Sequence, residues 1–307
     1  MTPLALLCCF LWGSAFPMVK TGYQMFSIGE SDTASQILFA GMRFALAGIL
    51  VIIFGSIIVK KPLYPKNKKE IGHCLVLSVF QTILQYTAFY IGLAHTSGVK
   101  SSVLVALNVF LSLILSAVVF KMEKITAPKL IGVIIGFAGV VLINFEAGGF
   151  SGFSLNGEGA IIFSAFAYSV SSVLIKKYSV AENPVMLSGW QFLIGGIVMA
   201  VFAAAAGGRV HMQADIKSVL AIFYLALISA VAYTIWGLLL KYNPVSRVAV
   251  IGFTNPVFGV LLSALFLGEA DEAFSIKNLV SLVLVCIGIY IVNAKFSSSK
   301  NKSVDNS

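Results

Sequence analysis

The residues of this chain that could do chemistry are polar and aromatic side chains set inside apolar runs. They are Trp12, Gln81, Gln85, Tyr86, Asn108, Tyr168, Tyr233, Trp236 and Asn255, with Arg43 as the one basic residue clearly within such a run. Amides, phenols and indoles offer hydrogen bonds and flat apolar faces, a set suited to holding a small amphipathic solute. Asp and Glu are absent from the middle of every run, since Glu123, Glu158 and Glu269 are terminal. An intramembrane carboxylate relay is therefore missing, which favours facilitated diffusion or exchange over proton coupling. No mid-run Ser/His, Asp/Asp or HExxH constellation is present, so an enzyme has little to work with. Gly98, Lys100 and Ser101 resemble the end of a phosphate loop but lack its preceding glycine.

His73, His95 and His211 stand apart near the ends of runs, and Cys8, Cys9, Cys74 and Cys286 lack metal spacing. They read as interfacial histidines and reduced core cysteines, and neither a metal nor another cofactor is expected.

The elements that position these residues follow from composition. Hydrophobic residues make up 59% of the 307 and charged residues 11%, against about 25% charged in an ordinary soluble domain. Lipid must be the solvent. A bilayer core needs about 20 apolar residues per helix, and ten stretches answer: 3–22, 35–59, 71–93, 97–120, 128–145, 157–178, 185–206, 216–240, 247–267 and 275–294. The first follows Met1 too closely for a charged leader region and reads as a retained helix.

The last five stretches repeat the first five. At a constant offset of 147 residues Tyr86 pairs with Tyr233, Thr87 with Thr234, Asn108 with Asn255, Ser116 with Ser263 and Ala117 with Ala264. Trp12 to Lys20 matches Tyr168 to Lys176, and Arg43, Phe44 and Gly48 match Gln191, Phe192 and Gly196. Five is odd, so the second unit must enter the membrane from the opposite side. The fold class is an all-α integral membrane protein, ten transmembrane helices in two inverted five-helix repeats. Its units are residues 1–146 and 157–294, with a cytosolic tail at 295–307. Inverted repeats exchange conformations around a midplane site, so alternating access follows from the symmetry.

The net charge of +9 is an orientation signal rather than a sign of nucleic acid. With a cytosolic N-terminus, Lys60, Lys61, Lys66, Lys68, Lys69, Lys121, Lys124, Lys129, Lys176, Lys177, Lys241, Arg247, Lys295, Lys300 and Lys302 fall on the cytosolic side. Only Lys20, Lys100, Arg209, Lys217 and Lys277 fall on the other. The positive-inside rule then puts both termini in the cytosol of a cell-membrane protein.

Trp12-Gly13-Ser14-Ala15-Phe16-Pro17 ending in Lys20, the run Gly92 to Gly98, Asn255-Pro256 with Glu269 thirteen residues later, and Gly132, Gly136 and Gly139 together resemble the EamA-type branch of the drug/metabolite transporter superfamily. The resemblance covers nearly the whole chain. It implies ten helices, cytosolic termini, a central cavity and secondary transport of small metabolites, often outward. Phe110 departs from the pattern, standing where a proline is common, which puts the hinge there in doubt.

Each candidate has a bland reading beside the functional one. Gln81 and Gln85 lie one helical turn apart next to Tyr86 and Tyr90, and cavity lining or helix–helix bonding would equally explain them. Asn108 and Asn255 occupy equivalent depths and either meet solute at the pseudo-twofold axis or bond carbonyls beside a kink. Ser229, Tyr233 and Trp236 share one face, which packs against helices or against solute. Trp12 and Tyr168 lie about 15 Å into their helices at 1.5 Å per residue, near the midplane, which favours a cavity over interfacial anchoring. Lys20 and Lys176 read as snorkelling to the interface. Arg43 lies about 12 Å inside by the same rise, offset by helix carbonyls, by Glu269 or by a substrate anion. Its neutral counterpart Gln191 favours a structural role, with a charge anchor as the alternative.

The leading expectation is a secondary transporter, exporter or facilitator, of amino acids or related amphipathic metabolites. The alternatives are a sugar-phosphate or nucleotide-sugar exchanger, which would need a more cationic cavity, and a non-transporting enzyme or sensor. The partners expected are a small-molecule substrate and the bilayer, not nucleic acid. The glycines at 132, 136 and 139 would let a helix pack closely on a neighbour in the same chain or in a homodimer.

Overall fold

Large apolar side chains cover the outside of this protein, and many polar ones are buried among the apolar residues of its core. Ile57, Val201, Phe202, Leu265 and Phe266 are exposed, while Ser78, Gln81, Thr82, Ser101, Gln191, Ser229 and Ser281 are buried. That distribution is what a chain dissolved in lipid requires. The computed structural model describes residues 2–122, 124–145, 153–211, 216–242, 251–252 and 254–293. Glu123, Asp215, Arg247, Lys295, Lys300 and Lys302 and the tail at 295–307 lie outside the described residues.

Among the described residues the long helices are α1 Thr2–Met25, α2 Thr33–Val59, α3 Lys68–His95, α4 Gly98–Val119, α5 Ala127–Asn144, α6 Leu155–Tyr178, α7 Pro184–Ala205, α8 Ile216–Tyr242, α9 Thr254–Leu267 and α10 Ile276–Asn293, with a short helix at Ala270–Ala273 between the last two. Of the long helices, all but α9 have the length and apolarity to cross a membrane. The stretch expected to open α9, 247–253, lies largely outside the described residues.

Side-chain caps start the helices where backbone N–H groups would otherwise be unpaired. Asp32 accepts from the Ser35 N–H at 3.0 Å, Asn67 from Glu70 at 2.9 Å, Ser97 from Lys100 at 3.0 Å and Asn183 from Val185 at 2.8 Å. Pro184 follows its cap as the first helical residue.

Packing obeys the repeat. Helix α2 lies on α7 and α5 on α10; α1 meets α8 and α9 as α6 meets α3 and α4; α2 meets α8 as α7 meets α3. Replacing each helix by the one five places away turns each of these pairs into itself or another of them, the mark of a pseudo-twofold axis between the halves.

Glycine sets the closest approaches. A Cβ on Gly48 of α2 would sit 2.8 Å from the Gly189 carbonyl of α7, and one on Gly132 of α5 would sit 2.8 Å from that of Gly288 in α10. Gly139 faces the Ser281 carbonyl and Gly136 the Phe110 ring. The glycine stripe of α5 is thus used for packing within the chain.

Two helices depart from regular α geometry near the centre. Helix α3 widens into a π turn over Ser78–Leu84, a rare form often found at functional sites. Helix α4 tightens at Ala106, where the Val109 N–H bonds the Ala106 carbonyl at 3.2 Å, and ends in a second π turn over Leu115–Val119. The chain therefore breaks here without a proline, and Phe110 follows the break inside a helix.

Candidate functional site

Repeat mates meet each other at the centre of the bundle. Phe44 and Phe192 stack with ring centroids 5.4 Å apart, and the Tyr86 and Tyr233 hydroxyls are hydrogen bonded at 3.1 Å. A residue touches its own equivalent only near the symmetry axis, so these four rings mark where the axis passes.

Beside them lies a cavity of about 540 Å³, within the range of small-molecule sites. Trp12 of α1 forms one wall, edge-on to Tyr233 at 5.5 Å and to Trp236 at 5.1 Å. Gln85, Tyr86, Asn108, Tyr168, Asn255 and Arg43 also line it, as expected from sequence.

Gln81 does not line it. It lies inside the π turn of α3, whereas Gln85 opens the α-helical stretch that follows. With i→i+5 bonding four residues no longer complete a turn, so the two amides leave their common face.

Ser112 and Ser116 extend the Asn108 face of α4 at four-residue steps, and Ser172 and Lys176 extend the Tyr168 face of α6 likewise. The helical period from Asn108 and Tyr168 could have found them. Lys176 thus borders the cavity rather than turning to lipid, as does Lys129 at the start of α5. Ser229 is instead buried as an acceptor for Arg43.

The cavity runs toward the end of the bundle that carries the start of α5 and the ends of α6 and α10, through Lys129, Lys176 and Asn293. The opposite end is sealed. The Tyr23 hydroxyl donates to the Tyr90 carbonyl at 2.6 Å, and Ser97 donates to Glu272 at 2.7 Å. Glu158 accepts from Thr96 at 2.9 Å and lies 3.6 Å from the Lys100 ammonium. Glu269 accepts from the Gly98 and Val99 N–H groups at 3.0 and 2.9 Å and lies 3.6 Å from the Lys20 ammonium. Lys20 is thereby paired across the two halves instead of snorkelling.

Of the three offsets open to Arg43, neutral protein groups supply the bonds seen, and Glu269 is engaged elsewhere. Nε donates to the Leu225 carbonyl at 2.9 Å, Nη1 to the Tyr90 hydroxyl at 2.9 Å and Nη2 to the Ser229 hydroxyl at 3.1 Å. The guanidinium also lies 4.7 Å from the Phe44 ring centre.

Four polar atoms on cavity-lining residues are buried without a hydrogen-bond partner among the described residues: Trp12 Nε1, Gln85 Oε1, Ser116 Oγ and Asn255 Oδ1. Buried groups of this kind are costly unless something else bonds them.

Ten apolar helices, an inverted repeat and a polar-lined central cavity define a multi-pass membrane carrier. The chain belongs to the EamA-like transporter family, whose pattern matches residues 2–145 and 155–294, and so to the drug/metabolite transporters. It is a transporter and not an enzyme.

Among its relatives, a probable amino-acid metabolite efflux pump of Escherichia coli is 28% identical over 94% of this chain and 93% of its own length. The probable amino-acid metabolite efflux pump of Salmonella typhimurium is 29% identical over 94% and 93%, and an uncharacterized transporter of Archaeoglobus fulgidus 29% over 95% and 98%. One solved crystal structure shares the fold, with a TM-score of 0.64 over 94% of this chain and 95% of its own at 18% identity.

Proposed function

We propose that this carrier moves amino acids or related amphipathic metabolites out of the cell by alternating access around the axial cavity. The observation that supports this reading most is the pairing of the four partnerless polar atoms with the aromatic wall of Trp12, Tyr233 and Trp236. Such a wall takes an apolar side chain while the polar atoms take an amine or carboxylate. The relatives named as amino-acid metabolite efflux pumps agree with it.

In this reading the units 1–146 and 157–294 are the two moving halves. The protein resides in the cytoplasmic membrane with both termini cytosolic, an orientation supported by the lysine-rich end of the bundle. The cavity then faces the cytosol, ready to load solute for export.

A sugar-phosphate or nucleotide-sugar exchanger is the second reading, favoured by Lys129 and Lys176 on the cavity wall beside Arg43. That surface is more cationic than the sequence suggests.

Purified protein in liposomes, loaded with unlabelled solute and offered the labelled form, tests the choice. Counterflow of amino acids is the expected result. Counterflow of sugar phosphates alone would give the second reading preference, and none with either class would overturn both.

A further inference from the structure

The two halves make the same interhelical link with different chemistry, which serves as an internal control on Arg43. In the first half Arg43 of α2 reaches the Ser229 hydroxyl of α8. In the second half its repeat mate Gln191 of α7 bonds the Thr82 hydroxyl of α3, and Thr82 is the mate of Ser229 at the same 147-residue offset. The fold's requirement at this place is a polar bridge, and a neutral amide meets it. The positive charge is surplus to that requirement.

Placement separates the two mates further. Both side chains are buried, Gln191 at 0% and Arg43 at 2% exposed, but only Arg43 borders the cavity. Among the described residues no carboxylate lies within ion-pair distance of Arg43, since Glu158, Glu182 and Glu269 pair with Lys100, His73 and Lys20. Its three bonded acceptors are neutral, so the charge is undiminished and the poorly polarisable surroundings extend its field into the cavity. Those bonds use three of the five guanidinium N–H groups, which leaves one N–H on each terminal nitrogen to donate to a carboxylate.

We infer that Arg43 makes the cavity selective for solutes bearing a carboxylate. The carboxylate sits at the guanidinium and the apolar body lies on the wall of Trp12, Tyr233 and Trp236. This rests on the cavity being the solute site, as proposed above. It adds the ligand group that the cavity selects and the residue that selects it.

The test compares L-phenylalanine, L-phenylalaninamide and phenyl phosphate on the purified full-length protein, reading affinity from ligand-induced thermal stabilisation. The first two differ only in the carboxylate; the third presents a phosphate. Wild-type protein is expected to bind the acid at least tenfold more tightly than the amide. Arg43→Gln, which copies the second half, should lower that ratio at least tenfold, and Arg43→Lys should retain part of it.

Equal affinity of wild type for acid and amide would overturn the assignment while leaving the cavity as the solute site. So would a folded Arg43→Gln protein that keeps the wild-type ratio. Preference for phenyl phosphate over phenylalanine would also overturn it, in favour of the sugar-phosphate reading. Binding of none of the three would remove the amino-acid reading itself and the inference with it. Should Arg43→Gln fail to fold, the wild-type acid-to-amide ratio still decides.

Discussion

The hydroxyls of Tyr86 and Tyr233, equivalent residues of the two halves, are hydrogen bonded to each other at 3.1 Å. The two-halved architecture is therefore closed at its axis by one bond between a residue and its own counterpart. A net hydrogen bond contributes about 1 kcal/mol. Tyr86→Phe and Tyr233→Phe should each lower the melting temperature in detergent by a similar amount, and the double variant should be little worse than either. Strict additivity of the two losses would show that the bond contributes nothing to stability.

Asn108→Ala and Asn255→Ala are expected to reduce transport while leaving folded protein in the membrane. Both side chains border the cavity, and Asn255 Oδ1 has no partner among the described residues. Removing that amide takes a hydrogen-bonding group from the wall. Counterflow at matched expression checks it. Normal transport by both variants would place the solute elsewhere.

What the sequence made legible has a physical reason, and so does what it hid. Each crossing demands a long apolar run, so the helices could be counted. A polar residue in lipid must turn inward, so Asn108, Asn255, Tyr86 and Tyr233 could be assigned to the interior from their recurrence alone. The π turn of α3 has no such signature. It arises where Thr82 meets Gly195 of α7, a contact so close that a Cβ on that glycine would lie 2.5 Å from the Thr82 Cβ, and it displaces Gln81. Ser112 and Ser172 carried no signal of their own because small hydroxyls commonly bond their own helix, and Ser116 was marked only by its pairing with Ser263. Lys129 and Lys176 looked like ordinary flanking charges until the helix ends beside them were seen to border the cavity.

Orientation is checked by reporters fused after residues 65, 126 and 300, which should register as cytosolic, and after 30, 150 and 212, which should register as external. The lysine asymmetry supports this pattern. Cytosolic signals at both 150 and 212 would contradict the inverted arrangement.

Glu269 offers the sharpest handle on the sealed end. Its carboxylate accepts from the Gly98 and Val99 N–H groups at the start of α4 and faces Lys20 of α1. It therefore ties the second half to two helices of the first at the end opposite the cavity mouth. An anion at a helix N-terminus contributes about 0.3–1 kcal/mol, up to about 2 when partly buried, and 1.4 kcal/mol is about tenfold in an equilibrium. Glu269→Gln keeps an acceptor but removes the charge, so it should shift the population toward an opening at this end. Val99 is fully buried, which makes a Val99→Cys reporter suitable once the four native cysteines are replaced. Its labelling by an impermeant thiol reagent applied from the non-cytosolic side should rise about three- to tenfold with Glu269→Gln, on the scale of that dipole interaction. Unchanged labelling, with transport intact, would mean that the Tyr23–Tyr90 bond and the rings around it hold the seal without Glu269.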